Sequence, residues 1–305
     1  MTSHCPSPHG HAVDGAGTPS DRHAPHVVLT GVTKAFDTPH ERTGKRTRMQ
    51  ALGPVDLTLR KGEFFSVVGP SGCGKSTLLE LIAGLAAPSA GNVSFEGKTV
   101  SGVPEGVGVV FQEDASFPWL TVRENIGFGL RMAGLDSAEI ARRVGYALGF
   151  MGLRDFANAH PAQLSGGMRQ RMCIARTLVI EPRLILLDEP FGALDQQTRM
   201  LMGDELLRLW RETSATVLLI THALDEAAVL SDRVGVMSSR PGRFIDIIET
   251  GWERERSSQS VITPRFGEIT ARLWERLRTE SLKAMQADER PGDDVGTSHP
   301  GVRGR

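Results

Sequence analysis

The stretch GPSGCGKST at residues 69–77 has the residue types and spacing of a phosphate-binding loop. It satisfies the pattern G-x-x-x-x-G-K-[ST], an apolar run precedes it, and a helical pattern follows it, as this motif requires. Consecutive backbone N–H groups at a helix N-terminus bind anions, and glycine lets the chain wrap closely around a phosphate. The alternative is a structural glycine turn that happens to contain a lysine.

We call residues 69–77 the phosphate loop and expect it to bind a nucleotide. Lys75 is expected to reach the β- and γ-phosphates as a catalytic residue, and the Ser76 hydroxyl to bind Mg²⁺. The other expected nucleotide contacts are Gly69, Pro70, Ser71, Gly72, Cys73, Gly74 and Thr77. Because Cys73 lies near the positive end of a helix, we predict a thiol of depressed pKa that alkylates readily without nucleotide. The alternative for Cys73 is a small residue that fits the loop.

Two adjacent acids, Asp188 and Glu189, end the apolar run LILLDE at residues 184–189. Burying unpaired carboxylates is costly, so packing alone does not explain them at the end of a buried strand. We predict that Asp188 holds Mg²⁺. Glu189 is predicted to orient or deprotonate the water that attacks the terminal phosphate.

Two further polar residues follow buried strands, at the carboxyl edge of the sheet where ligands bind in such folds. His222 follows the run TVLLIT and is predicted to be a catalytic contact to the γ-phosphate, with a structural histidine as the alternative. Gln112 ends the run GVGVVFQ and is predicted to sense the same phosphate or to bind its metal ion. The predicted metal ligands are therefore Ser76, Gln112 and Asp188.

The elements that must position these groups alternate along the chain. Apolar runs of the kind buried on both faces predict parallel strands at 64–69, 106–112, 184–189, 216–221 and 233–239. Residues 27–62 predict antiparallel strands joined by the basic loop 41–48. Residues 120–160 predict two helices: Thr121 and Glu124 form a capping box, and a stripe follows at Ile140, Val144, Leu148 and Met151.

The predicted fold class is α/β, a P-loop NTPase core with a mainly parallel sheet. An N-terminal antiparallel β subdomain and an inserted helical subdomain at about 113–163 complete a catalytic domain over 27–250. Residues 251–286 predict a helical extension that starts at Thr263-Pro264 and aligns Phe266, Ile269, Leu273 and Leu277. We expect this extension to dock on its own domain rather than on a membrane.

Composition limits the remaining possibilities. The net charge is −1 and no long Lys/Arg block occurs, which disfavours nucleic acid as a partner. No apolar run approaches the ~20 residues of a membrane span, no secretory signal is visible, and Cys5, Cys73 and Cys173 are scattered. We therefore expect a cytosolic protein. Residues 1–26 and 287–305 predict disordered tails, with a metal-binding role for the histidines of the first as the alternative.

A second glycine-rich stretch, LSGGMRQR at 164–171, makes the resemblance to one family specific. The phosphate loop, Gln112, LSGGMRQR, LILLDEP, ALD at 193–195 and ITHALDEA at 219–226 resemble the motifs of ATP-binding cassette ATPases in order and spacing. The resemblance implies an enzyme that binds ATP with Mg²⁺ and hydrolyses it. It also implies that Ser165, Gly166 and Gly167 contact the γ-phosphate held by a second subunit, with Asp195 at the interface of a head-to-tail homodimer.

Some positions depart from the family pattern. Phe36 matches the residue that stacks on adenine, where a tyrosine is more usual, and a core position is the alternative. The basic loop 41–48 is unusual, and Ala223 stands where an aspartate commonly follows the histidine. None of these departures removes a catalytic group.

The resemblance implies the motor of a membrane transporter rather than an ATPase acting on DNA or ribosomes. Leu164 of the signature follows Gln112 by only 52 positions, too few for the long coiled coil of repair ATPases. Translation-factor relatives carry two cassettes, and this chain has one. Permease subunits are then expected as separate polypeptides, with this chain peripheral on the cytoplasmic face of the membrane. An export motor is the alternative to an importer.

Three segments resemble the importer branch that serves nitrate, sulfonates and taurine: FPWLTVREN, MSSRPGRF and the terminal helix. That branch implies an extracytoplasmic solute-binding protein that acts through the permease, and no residue of this chain identifies the solute. The helical subdomain and the Gln112 loop are implied to contact the permease. Apolar residues for that contact are Phe117, Pro118, Trp119 and Leu120, for which a buried loop is the alternative.

Overall fold

The computed structural model describes residues 24–39, 46–112 and 115–288 of the chain. Residues 1–23, most of the basic loop, and the segment after Asp288 therefore lie outside the described residues. The predicted tails reach slightly too far into the fold, because the first strand begins at Pro25 and the last helix ends at Asp288. His26 in particular is a buried residue of the first strand.

Ten strands and seven α-helices build the described fold. The strands are β1 (Pro25–Pro39), β2 (Arg46–Arg60), β3 (Phe64–Val68), β4 (Ala90–Phe95), β5 (Lys98–Thr99), β6 (Val107–Val110), β7 (Leu184–Asp188), β8 (Thr216–Ile220), β9 (Arg233–Met237) and β10 (Phe244–Glu249). The helices are α1 (Lys75–Ile82), α2 (Val122–Met132), α3 (Ser137–Phe150), α4 (Gly166–Leu178), α5 (Gln196–Thr213), α6 (Leu224–Leu230) and α7 (Pro264–Asp288).

The larger sheet has six strands in the order β10-β9-β3-β8-β7-β6. Strands β9, β3, β8, β7 and β6 pair in parallel, and every residue of β3, β7 and β8 is buried. The five predicted parallel strands are thus confirmed, and their continuous apolar runs reflect burial on both faces. The antiparallel edge strand β10 was not predicted.

The smaller sheet has four antiparallel strands in the order β2-β1-β4-β5. The predicted pair within 27–62 is confirmed as β1 and β2, although β2 begins inside the predicted basic loop. Strands β4 and β5 were not predicted, because only two residues of β4 are buried and β5 is two exposed residues long. Such short, half-exposed strands carry little hydrophobic pattern.

Two helices interrupt the strand rhythm where the sequence predicted them. Helix α2 starts with a complete capping box between Thr121 and Glu124. Helix α3 buries Val144, and the rest of its predicted stripe follows: Leu148 and Met151 are buried and Ile140 is partly buried. This stripe belongs to the same hydrophobic cluster as β7 and α5, so the helices pack onto the core beside the sheet.

Helix α7 docks on its own chain, as predicted. Its residues Ile269, Leu273 and Leu277 are buried in one cluster with β3, β9 and α6, and Phe266 packs against the same cluster. The Thr263 hydroxyl accepts a hydrogen bond from the Phe266 N–H at the start of the helix. Within the described ranges, no helix is both long enough and apolar enough to cross a bilayer.

Candidate functional site

The phosphate loop connects β3 to α1 and owes its shape to glycine. Gly72 and Gly74 have φ values of 71° and 103°, a region that residues with a Cβ rarely adopt. A Cβ at Gly74 would also lie 3.0 Å from the Ala51 carbonyl oxygen and 2.8 Å from the Leu52 side chain. The motif glycine is therefore required by both backbone conformation and close packing.

Lys75, the first residue of α1, folds back into the phosphate loop. Its Nζ donates hydrogen bonds to the carbonyl oxygens of Gly69 and Pro70, each at 3.0 Å, and the residue is buried. The loop thus holds a positive charge at its centre without any acidic partner in these contacts. An anion with several oxygens fits there, because backbone carbonyls satisfy the ammonium only partly.

Asp188 and Ser76 form the second part of the site. Asp188 ends β7 as a buried carboxylate that is hydrogen-bonded to Ser76. Burial raises the pKa of Asp188, and the neighbouring Glu189 adds to that shift. Among the described residues, the Asp188 Oδ1 atom has no hydrogen-bond partner.

A divalent cation fits this pair of residues. The orphaned carboxylate oxygen and the adjacent hydroxyl are hard donors of the kind that Mg²⁺ prefers, and Mg²⁺ completes its shell with phosphate and water. In the described part of the chain, no cluster of three or more His, Cys, Asp or Glu side chains could hold a metal by itself. Asp188 and Ser76 are therefore the two protein donors that this part of the site offers to a cation.

Glu189 is the meeting point of three strand ends. Gln112 Nε2 donates to Glu189 Oε2 at 3.2 Å, and His222 Nδ1 lies 3.2 Å from the same oxygen. The Glu189 backbone has φ of 47°, and its N–H donates to the Ile220 carbonyl at 2.9 Å. A non-glycine residue in the left-handed region persists only where its surroundings enforce it. The predicted residues Gln112, Glu189 and His222 are thus brought together.

Behind His222 lie two polar side chains to which the sequence analysis gave no role, the buried Thr221 and the partly buried Glu226. The Thr221 hydroxyl donates to Glu226 Oε2 at 2.7 Å and accepts from the Ala223 N–H at 3.0 Å. Burial raises the pKa of Glu226, and Arg199 Nε lies 3.3 Å from the other carboxylate oxygen. These contacts fix the backbone on both sides of His222. The sequence signal for this contact was Glu226 in THALDEA, which follows His222 by four positions.

The signature loop, residues 164–167, lies at the start of α4 and is exposed at Ser165 and Gly166. Ser165 caps the helix by accepting from the Met168 N–H at 3.3 Å, and Arg169 donates to the Leu164 carbonyl at 2.6 Å. A Cβ at Gly167 would meet the Leu194 side chain at 2.8 Å, so this loop packs beside ALD. No hydrogen bond between described residues joins the signature loop to the phosphate loop.

Asp195 is the N-cap of α5. Its carboxylate accepts from the Thr198 hydroxyl at 2.7 Å and from the Thr198 N–H at 3.0 Å, and these bonds lower its pKa. The residue is exposed. One chain therefore gives Asp195 a capping role and leaves its outer face open.

Phe36, the candidate adenine contact, is not a core residue. Its side chain is 39% exposed, and the Lys34 ammonium lies 5.2 Å from the ring centroid. Phe36 pairs with Met49 across β1 and β2, so the two side chains share one face of the sheet. An exposed aromatic ring on this face is open to a ligand.

The prediction of a reactive thiol at Cys73 is wrong. Burial raises the pKa of Cys73, and this outweighs the lowering by Lys75. The side chain is fully buried in the hydrophobic cluster that contains Leu52 and Met237. Backbone hydrogen bonds from Cys73 and Lys75 at the start of the helix also lower the pKa of the thiol, but the effect of burial is larger.

The apolar segment before α2 is held open rather than buried. Trp119 is 71% exposed, and its ring lies 5.7 Å from the Phe117 ring. The buried Asn125 side chain fixes the segment by accepting from the Phe117 N–H and donating to the carbonyls of Phe117, Leu120 and Thr121. The alternative of a buried loop therefore does not apply to Trp119.

Comparisons with known proteins agree on one family. A family model described as ABC transporter matches residues 52–192. The chain is 42% identical to an uncharacterized ABC transporter ATP-binding protein of Methanocaldococcus jannaschii, over 87% of this chain and 96% of that protein.

Two relatives carry more specific names. A taurine import ATP-binding protein of Pelagibacter ubique is 48% identical over 67% of this chain and 77% of its own length. A nitrate import ATP-binding protein of Synechocystis sp. is 44% identical over 71% of this chain and 79% of its own length. A solved dimeric ATP-binding cassette in a post-hydrolysis state, with ADP and Pi bound, is 32% identical with a TM-score of 0.66, covering 73% of this chain and 98% of that one.

Proposed function

This chain belongs to the family of ABC transporter ATP-binding proteins, and from that premise we propose that it powers import of a small solute of the nitrate, sulfonate or taurine type. As a member of this family it binds ATP and couples ATP hydrolysis to transport. The importer role, the solute and the residue roles that follow are our proposal.

One observation carries the assignment of the catalytic site: Gln112 and His222 both contact Glu189 Oε2. Because both contacts use one oxygen, we assign the other oxygen, Oε1, to the attacking water, which Glu189 orients or deprotonates. His222 then offers its Nε2 atom to the γ-phosphate. A general base held by two neighbours is fixed in position before the substrate arrives.

The phosphate loop and β7 supply the rest of the proposed chemistry. We assign Lys75 to the β- and γ-phosphates, where its ammonium would exchange the carbonyls of Gly69 and Pro70 for phosphate oxygens. Ser76 and Asp188 would hold Mg²⁺, with Gln112 as a further ligand. When bound, Mg²⁺ neutralises charge that develops on the phosphate oxygens. Phe36 is assigned to adenine stacking.

The signature loop is assigned to a second subunit. Ser165, Gly166 and Gly167 present N–H groups at the start of α4, and a helix N-terminus attracts a phosphate. Since no described hydrogen bond ties them to the phosphate loop of their own chain, we place them on the γ-phosphate held by a partner. In a two-fold dimer each site then combines one phosphate loop with one signature loop, and Asp195 lies beside it.

The exposed segment around Trp119 is assigned to the permease. A rigid apolar surface held out by Asn125 is costly to leave in water unless a partner covers it. Closure of the ATP-bound dimer would move this surface, and hydrolysis would release it. We place the chain on the cytoplasmic face of the membrane, with a solute-binding protein acting through the permease.

The solute class is supported by the names of relatives rather than by a contact. Proteins 48% and 44% identical to this chain are named for taurine import and nitrate import. Nitrate is an anion and taurine is a zwitterion with an anionic sulfonate group, so both are small solutes that carry a negatively charged oxygen group. We place the choice of solute on the permease and the solute-binding protein.

The test replaces Lys75 with Ala in the native host and measures growth on taurine, an alkanesulfonate or nitrate as sole sulfur or nitrogen source. The proposal expects failure on one class only, rescued by sulfate or by ammonium. Lys98→Ala, at an exposed lysine of β5, is the matched control and should grow normally. Normal growth of the Lys75→Ala strain on all three sources would overturn the proposed solute class, while leaving the ATPase assignment intact.

A further inference from the structure

The loop between β9 and β10, residues 238–243, lies directly against the phosphate loop. Arg240 donates from Nε and Nη2 to the carbonyl oxygen of Gly72, at 3.1 and 2.9 Å. Its third nitrogen, Nη1, lies 3.0 Å from the Met49 sulfur. The Arg240 guanidinium therefore connects the phosphate loop to β2, where Met49 pairs with Phe36 of β1.

Gly242 holds the same loop against β2 and close to the next peptide unit of the phosphate loop, the one between Cys73 and Gly74. Its N–H donates to the Ala51 carbonyl at 2.9 Å, and its carbonyl accepts from the Gly53 N–H at 3.0 Å. A Cβ at Gly242 would collide with the carbonyl oxygen of Cys73. Two successive carbonyls of the phosphate loop, those of Gly72 and Cys73, are thus contacted by residues 240 and 242.

Contacts to a carbonyl also set the direction of the N–H group in the same peptide unit. In a planar trans peptide the Gly72 carbonyl and the Cys73 N–H point in opposite directions. Holding the carbonyl outward on Arg240 therefore holds the Cys73 N–H inward, where it now lies 3.4 Å from the Pro70 carbonyl. Inward N–H groups are what such a loop offers to a phosphate.

The C-terminal helix fixes the residue before Arg240. Glu280 of α7 is 5% exposed and accepts from the Ser239 N–H at 2.9 Å and from the Ser239 hydroxyl at 3.3 Å. Lys283 donates to its other oxygen at 2.6 Å. A chain of direct contacts thus runs from α7 through Ser239 and Arg240 to the phosphate loop.

We propose that Arg240 is a positioning residue for nucleotide binding and that Glu280 of the C-terminal helix holds it in place. Arg240 acts by orienting the Gly72–Cys73 peptide, and the helical extension thereby sets the affinity of the site for ATP. The inference rests on the proposed phosphate loop site. It adds a role for the extension, whose buried apolar stripe explains docking but not the contact to Ser239.

The first test compares Arg240→Ala with wild type in the full chain, using a fluorescent ATP analogue for affinity and steady-state kinetics for hydrolysis. The Kd and KM should rise by roughly tenfold, the effect of about one lost charge-assisted hydrogen bond, with kcat within about twofold. Arg240→Lys should recover only part of the affinity, because an ammonium lacks the planar fork of donors. Arg272→Ala, at an exposed arginine of α7, is the matched control and should leave the Kd unchanged.

The second test addresses the helix. Glu280→Ala should raise the Kd in the same direction by roughly threefold, and the double variant with Arg240→Ala should bind no more weakly than Arg240→Ala alone. Glu275→Ala, at an exposed glutamate of the same helix, is the control. If Arg240→Ala fails to fold, the Arg240→Lys and Glu280→Ala variants measure the same effect.

The outcomes separate this inference from the function on which it rests. If wild type binds no ATP analogue, the proposed nucleotide site itself is refuted. Wild type that binds, together with Arg240→Ala and Glu280→Ala variants of equal affinity, would overturn the positioning role alone. A fall in kcat with unchanged KM would also overturn it, because orientation of the loop acts on binding.

Discussion

The two glycine-rich loops of this chain differ in how much of their surroundings the chain itself supplies. The phosphate loop has a complete set of neighbours: Lys75 lies inside it, Ser76 contacts Asp188, and Arg240 supports it from outside. The signature loop has only a local cap and packing, and its Ser165 is exposed. This contrast motivates the proposal that the signature loop is half of a site whose other half is on another chain.

The largest effect is expected on the rate of ATP hydrolysis, at Glu189 beside the phosphate loop. Glu189→Gln keeps the shape of the side chain but removes the base, so kcat should fall at least about a hundredfold. ATP binding should persist, and the ATP-bound dimer should accumulate because hydrolysis no longer separates it. ATPase assays and size-exclusion chromatography with Mg-ATP measure both effects. Glu105→Gln, at an exposed glutamate, is the control, and a Glu189→Gln variant with normal turnover would contradict the assignment.

The next effect should distinguish the two loops. Ser165→Arg places a bulky cation at the start of α4, so ATPase activity should fall by roughly ten- to a hundredfold, the scale of losing oriented donors on a phosphate. The Kd of the monomer for ATP should stay within about twofold, because the phosphate loop is untouched.

Loss of a helix cap must be separated from loss of this function. Asp136→Ala removes the N-cap of α3, which costs about 1 kcal/mol of stability, and should leave ATPase activity near normal. A Ser165→Arg variant that loses ATP binding along with hydrolysis would show that the signature loop supports its own site.

A smaller effect is expected at the exposed surface before α2. Trp119→Ala should leave basal ATPase activity within about twofold, because the side chain is 71% exposed and, among the rings of the described residues, is paired with that of Phe117 alone. Solute uptake by the assembled transporter should fall several-fold. Trp274→Ala, at the 61% exposed tryptophan of α7, is the control. Joint loss of both activities in Trp119→Ala would indicate misfolding instead.

The smallest effect is expected at His26 of β1, which contacts the first residue of β8 at the end of the large sheet opposite the site. Burial lowers the pKa of His26, whose Nδ1 lies 2.6 Å from the Thr216 hydroxyl. The unfolded chain therefore binds a proton at higher pH than the folded chain, and stability should fall as the pH drops below about 6.5. The loss cannot exceed about 1.4 kcal/mol per pH unit for one group.

Urea unfolding of wild type and His26→Gln measures this contribution. Between pH of about 7 and about 5, the variant should lose less stability than wild type, because it lacks the group that takes up the proton. Equal pH slopes for the two proteins would contradict the lowered pKa. ATPase activity per folded molecule should be the same, since His26 is not part of the site.

The sequence predicted the buried strands and the residues at their ends better than it predicted the exposed strands. Strands β3, β7 and β8 could be predicted because strands buried on both faces have continuous apolar sequences. Since β7 and β8 are parallel neighbours, their ends place Glu189 and His222 at the same edge of the sheet. The contact between Gln112 and Glu189 follows from that topology. Strands β5 and β10 were missed because their exposed or half-exposed residues carry no such run.

Side-chain direction was harder to predict than backbone position. The helix N-terminus beside Cys73 predicted a reactive thiol, but the sulfur points into the core, where burial raises its pKa. The contact of Arg240 with Gly72 joins residues 168 positions apart, and no local pattern encodes such a pair. Long-range polar contacts of this kind become visible only in the folded structure.

Mixing two inactive variants tests most directly the claim that each site is shared between two chains. Lys75→Ala disables the phosphate loop and Ser165→Arg the signature loop, so a mixed dimer has one site in which both loops are intact. The mixture should regain roughly a quarter of wild-type ATPase activity, because about half of the dimers are mixed and each has one complete site. A mixture no more active than the two variants alone, although mixed dimers form, would contradict the shared site.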